Sequence, residues 1–190
     1  MNREQGNFTL PDFNIEKTVE AVGYLLQLHG IGKSVKFLKI IKLLYLADRK
    51  ALEEWERPIT NDVYVSMPMG QVLSTTYNLI KGELSDDAWD EYIERNSKNN
   101  IKLKKQIKLK KLSPAEVELL EKIFAEYGNY SAFDLAELTH KLPEYVNPGN
   151  SSVVTPLWKL LQALGYKNDE VNRILNEMQS EAEIDILLGV

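Results

Sequence analysis

Few residues in this sequence have the type and spacing that chemistry needs. The tripeptide Gly32-Lys33-Ser34 has the ending of a phosphate-binding loop. Such a loop needs a further glycine at position 27 and a strand in front of it. The chain has Gln27 there, inside a helix pattern, so a turn between helices is the simpler reading. The histidines are only two, His29 and His140, and there is no cysteine. A zinc site or a histidine base would have to borrow carboxylates. One histidine at the edge of the core and one at a helix end account for both. Asp86, Asp87, Asp90 and Glu91 could face a divalent cation, but they lack the glycine and alternating ligands of a calcium loop. A solvated acidic turn accounts for them. No Gly-x-Ser-x-Gly elbow occurs, and nothing assembles a nucleophile, a base and an oxyanion site. The residues point to no enzyme, no metal and no cofactor.

The strongest surface signal is a run of lysines. Residues 98–111 hold seven lysines and no acid, a charge of +7 that leaves −12 for the rest of a chain whose total is −5. Ile101, Leu103, Ile107 and Leu109 stand at odd positions there, and Lys102, Lys104, Lys108 and Lys110 at even ones. Period-two alternation is the pattern of a half-buried strand. Lys105 interrupts the apolar face, where a bulge or bend fits. With Tyr92 to Arg95 as a partner strand and residues 96–100 as the turn, a lysine-rich antiparallel hairpin is expected at about 91–111. Its plainest role is a solvated edge, since lysine there discourages unwanted pairing. Contact with an acidic protein comes next. Nucleic acid comes last, because no aromatic or arginine is interleaved for base stacking.

These residues need a scaffold, and 190 residues suffice for one domain that buries roughly 70% of its unfolded surface. A 44% apolar and 27% charged composition is ordinary for a globule. The absence of cysteine fits a reducing compartment. No signal-peptide layout and no apolar run near the ~20 residues of a membrane span is seen, so the expected location is cytoplasmic, away from membranes. Residues 1–13 read as a flexible lead and residues 14–190 as a single domain, mainly α with a small β part (α+β).

The organising element is the helix pattern after Val35. Between Val35 and Ala47 only Lys36, Lys39 and Lys42 are polar, one narrow stripe, so neighbouring elements must cover the rest. Ser34 is its expected N-cap, and Arg57-Pro58 stops it after about Trp55. Before it, Ile15, Val19, Val22, Leu26 and His29 mark an amphipathic helix ended by Gly30 and Gly32. After it come a short strand at Val63–Ser66 and a third helix from Gly70 to Lys81, stopped by Gly82. Ser113-Pro114-Ala115-Glu116 is a capping box for a helix to about Tyr127. Ser131 and Asp134 repeat the box for a helix from Ala132 to about His140. Pro156 opens a further helix through Leu164, and Asn168 caps the last.

The order Lys42-Leu43-Leu44-Tyr45-Leu46-Ala47-Asp48, Pro58-Ile59, Asp62-x-Tyr64, Gly70-Gln71-Val72 and Tyr77 resembles the Panacea domain, the phage-associated, SocA-like antitoxin family. Leu112-Ser113-x-x-Glu116, Tyr127-Gly128, Ser131-Ala132 and Leu138-Thr139-His140 continue the resemblance, which spans roughly residues 15 to 145. The family usually has Gly-Pro-Val where this chain has Gly70-Gln71-Val72, and the lysine-rich segment has no counterpart in its pattern. The resemblance implies a mostly helical domain that neutralises a toxin by direct binding, the toxin being encoded beside it. It also implies an alternative, a proteolytic adaptor that delivers the toxin to a protease. A nucleic-acid-binding regulator using the Lys102–Lys111 strand stays open from the residues themselves. Leu43, Leu44, Tyr45, Ala47, Asp48, Tyr64, Gly70, Val72 and Tyr77 read as structural. The partner-binding residues are then expected on the variable surface: Arg57, Asn61 and Asp62 in the loop after the central helix, and Lys102, Lys104, Lys108 and Lys110.

Overall fold

A computed structural model of the chain describes residues 4–5 and 8–188. Part of the expected lead falls outside them; Glu4–Gln5 (β1) and Phe8–Thr9 (β2) pair antiparallel. The fold is mainly helical, with small antiparallel sheets. The helices α1 (Ile15–His29) and α2 (Phe37–Trp55) come first, separated by the two-residue strand β3 (Val35–Lys36). Then follow β4 (Tyr64–Met67), β5 (Gly70–Leu73), α3 (Ser74–Lys81), α4 (Asp87–Tyr92), β6 (Ile93–Arg95) and β7 (Asn100–Leu103). The last part holds α5 (Pro114–Tyr127), α6 (Ala132–His140), β8 (Val153–Val154), α7 (Leu157–Ala163) and α8 (Asn168–Leu188).

The helix α2 is the centre. It touches α1, α3, α5, α6, α7, β3 and β5. Ile40, Ile41, Leu43, Leu44, Tyr45 and Ala47 have no solvent exposure. A helix apolar on nearly every side forms because neighbours cover each side. Glu56 ends it in the left-handed conformation, and Pro58 follows.

Several elements differ from the sequence reading, each for a local reason. Ser34 does not cap α2. Val35 and Lys36 are drawn into pairing with β7, the Phe37 N–H reaches Asn99 O at 3.0 Å, and Ser34 Oγ faces Asn96 instead. The third helix does not start at Gly70. Residues 70–73 pair with 64–67 across a two-residue turn, and the helix waits until Ser74. Its cap is remote: Asp62 accepts the N–H groups of Thr75 and Thr76, both at 2.8 Å. Asp86 is a helix cap for α4 rather than a loop residue, accepting from Ala88 and Trp89. Asn168 is the first residue of α8 and not its cap. Both capping boxes, at Ser113 and Ser131, form as expected.

The lysine-rich strand is shorter than its alternation suggests. It leaves the sheet at Leu103, after pairing with both β6 and β3. Beyond that point Ile107 drops onto Gly23 of α1, where any Cβ would lie 2.9 Å from Ile107 Cδ1. The backbone N–H groups of Lys110, Lys111 and Leu112 converge on the buried carboxylate of Glu20, at 2.8 to 3.0 Å. One inserted side chain and one carboxylate bend the segment over α1, and Leu109 ends up exposed.

Candidate partner-binding face

The residues expected to meet a partner do not form one patch. Lys102 pairs with Glu94 at 3.3 Å, Lys105 with Glu91 at 2.6 Å and Lys111 with Glu16 at 2.6 Å. The Lys104 ammonium donates to the Asp90 carbonyl. Lys108 and Lys110 are exposed on the irregular segment past the strand. Lys102, Lys105 and Lys111 thus lie against β6, α4 and α1, facing acids of this same chain. Exposed pairs of this kind contribute little to stability, but they reduce the positive field a partner would meet.

The loop after α2 lies elsewhere, beside α8. Arg57 is exposed and pairs with Glu181. Asn61 is half-buried, with a left-handed φ of 52°. Asp62 corrects the expectation of an exposed loop residue. It is buried, and it accepts from the N–H of Val63 and from Thr76 Oγ1 in addition to the two amides it caps. Its oxygens hold the fold and do not face solvent.

An open apolar surface lies on another face, where the sequence reading placed no partner contact. A groove of ≈ 520 Å³ runs between the start of α2, the β4–β5 turn, the start of α6 and residues 150–152. Phe37, Leu38, Met67, Met69, Val72 and Phe133 give it an apolar lining. Phe133 is 59% exposed, a large desolvation gain left unused in the free chain. The capping box explains the exposure. It fixes the start of α6 so that Ala132, Leu135, Ala136 and Thr139 face inward, and Phe133 falls off that stripe. The 3.6-residue periodicity could have revealed it.

Cations frame this groove. The Lys36 ammonium stands 5.0 Å over the Phe133 ring, and the Lys81 ammonium 5.8 Å from the Tyr77 ring. Arg95 donates to the carbonyls of Lys81 at 2.9 Å and Lys98 at 2.8 Å, drawing the end of α3 to the β6–β7 turn. Lys98 precedes Asn99, another lining residue. Among the described lining residues the one charged side chain is Lys36.

The family-like residues lie beneath and beside the groove. Lys42 has no exposure, and its ammonium donates to Gln71 O at 2.5 Å. Burial lowers its pKa to about 7. Gly70, at φ 85°, lets β5 approach α6: a Cβ there would overlap Thr139 Oγ1 and lie 3.0 Å from Lys42 Nζ. Gln71 is buried and ties β5 to Ser66 and Thr155, at 3.0 and 3.1 Å. Asp48 accepts from Ile59 N, Thr60 N, Thr60 Oγ1 and Tyr64 Oη. Burial pushes its pKa up to about 7, against the pull of the Thr60 hydroxyl. Tyr45 and Arg49 both donate to Glu144, at 2.7 and 2.9 Å, and the Tyr45 and Tyr64 rings meet edge to face. Leu43, Leu44, Ala47 and Val72 are buried, and Tyr77 is half-buried against Phe37.

No three metal-ligating side chains come together as an ion site among the described residues. None of the described helices is long and apolar enough to cross a membrane. The family model described as antitoxin SocA-like, Panacea domain, matches residues 40–145, more than half of the chain. No curated protein and no solved structure matches. The chain belongs to the SocA-like, Panacea-domain antitoxin family.

Proposed function

We propose that this chain is an antitoxin that neutralises a cognate protein toxin by direct binding, the toxin being encoded by the adjacent gene. It acts in the cytoplasm and does no chemistry of its own. Membership of an antitoxin family is the observation that carries this reading. The exposed apolar groove supports it, since it supplies a surface suited to a protein partner. Most of the motif residues are buried in the core, which leaves partner choice largely to exposed side chains and suits a shared scaffold meeting unlike partners.

Co-expression with the adjacent reading frame is the test. The expected result is growth rescue together with a stable complex on size exclusion. Rescue without a complex, accompanied by toxin loss that depends on a protease, moves the function to proteolytic adaptor. The regulator reading has less support, because Lys102, Lys105 and Lys111 face carboxylates of the same chain. A mobility shift that persists at physiological salt would revive it.

A further inference from the structure

Resting on the antitoxin reading, we infer that the groove between α2, α6 and the β4–β5 turn is the docking site for an acidic amphipathic helix of the toxin. Charge is the first argument. The chain carries 28 acidic against 23 basic residues, yet the charge lining the groove is positive. Lys36 and Lys81 stand over aromatic rings at Phe133 and Tyr77, and Arg95 and Lys98 gather next to them. The carboxylate next to Phe133, Asp134, accepts the Ser131 N–H in its capping box. Cations held above apolar rings, with no carboxylate among the described lining residues, complement acidic residues flanking an apolar stripe.

The shape of the surface favours a helix over an added strand. The groove offers side chains: Phe37, Leu38, Met67, Met69 and Phe133. Recognition through such side chains is the helix-in-groove mode, read by anchors at i, i+3, i+4 and i+7. The nearby edge β5 is partly closed to pairing, because the buried Lys42 ammonium occupies the Gln71 carbonyl. An inward lysine of this kind guards an edge. Met67 and Met69, on either side of Pro68, give the lip flexible side chains that adapt to a bound surface.

The experiment uses the full-length chain and the toxin from the adjacent gene. Binding is measured for the wild type, Phe133→Asp, the double variant Lys36→Glu/Lys81→Glu, and a control, Lys122→Glu, in the separate cleft between α2 and α5. Phe133 and Lys36 are exposed at helix starts, where an acid is tolerated, and unchanged circular-dichroism melting verifies folding. Both groove variants are expected to bind at least tenfold more weakly and to lose growth rescue, with the control unchanged. Hydrogen exchange on the toxin is expected to protect one helical segment bearing Asp or Glu beside its apolar face. A Glu→Lys change there should restore binding to the double variant. Wild-type affinity in both groove variants overturns the site while leaving the antitoxin reading intact. Protection of a lysine-rich or extended segment overturns the stated chemistry. Absence of any complex with the wild-type chain refutes the antitoxin reading itself, and the docking site with it.

Discussion

Two sets of lysines in this molecule have opposite fates. Residues 98–111 concentrate seven lysines and make the most conspicuous charge feature of the sequence. In the fold these side chains face Glu16, Glu91, Glu94 and the Asp90 carbonyl, or lie in solvent. The three lysines of residues 36–42 look like an ordinary polar stripe, yet they run from surface to core. Lys36 covers Phe133 at the groove, Lys39 reaches the Gly128 carbonyl, and Lys42 is fully buried against Gln71. Charge density along a chain thus says little about where charge matters. A lysine that must be desolvated, or that stands alone over an aromatic ring, carries more structural consequence than several in a screened row.

The sharpest way to break this contrast is at Gly70, which closes the pocket around Lys42. Gly70→Ala forces a Cβ into Thr139 Oγ1 at a φ of 85°. Overpacking and backbone strain together are expected to cost about 3 kcal/mol. Urea unfolding measures it, and a loss under about 1 kcal/mol would show that β5 can move away from α6 and that the pocket is soft.

Lys42 itself gives a pH signature. Its folded pKa, about 7, lies below the unfolded value of 10.5. The unfolded chain therefore binds more protons between those values, and stability rises with pH across that window. This one group is expected to make the protein about 2 kcal/mol more stable at pH 9 than at pH 7. Asp48 works oppositely at lower pH: its raised pKa makes its contribution fall as pH rises from 3.8 to about 7. Denaturant midpoints at pH 7, 8 and 9 for wild type and Lys42→Met separate the two groups. The wild-type slope should vanish in the variant, and an unchanged slope would assign it to another group.

Much of this was legible beforehand, and the failures have physical causes. The central helix was readable because eleven of its side chains need cover, and periodicity reports that directly. The capping boxes were readable because a box is a local agreement between residues three apart. The start of the third helix was misread because its cap, Asp62, sits twelve residues before it and acts through space. The lysine strand was overextended because alternation cannot show that Ile107 will find Gly23, or that Glu20 will gather three amides ninety residues away. The groove is not visible in the sequence because it is built from five separated stretches, though Phe133 lies off the buried stripe of α6.

Glu20 tests whether the lysine segment has a fixed place at all. Its carboxylate accepts the amides of Lys110, Lys111 and Leu112. Glu20→Gln puts an amide donor before those N–H groups and should cost roughly 1–2 kcal/mol. Hydrogen exchange should quicken at residues 110–112 and stay unchanged in β7. Exchange that speeds up through β6 and β7 as well would mean that the hairpin depends on this anchor.

The smallest effect is expected from the most conspicuous residues. The segment is held by the backbone amides on Glu20 and by Ile107 in the core, and neither contact uses a lysine ammonium. Changing Lys104, Lys108 and Lys110 together to Gln removes three charges and no core atom. The unfolding midpoint should stay put, because exposed charges of this kind contribute little to stability. Toxin affinity should also hold, apart from a modest fall in association rate at low salt that disappears at physiological ionic strength. Titration of the triple variant against the toxin at both salt concentrations measures this directly. A tenfold loss that survives at physiological salt would reverse the contrast between the two lysine sets, making the segment past β7 the interface and the groove beside Phe133 a secondary surface.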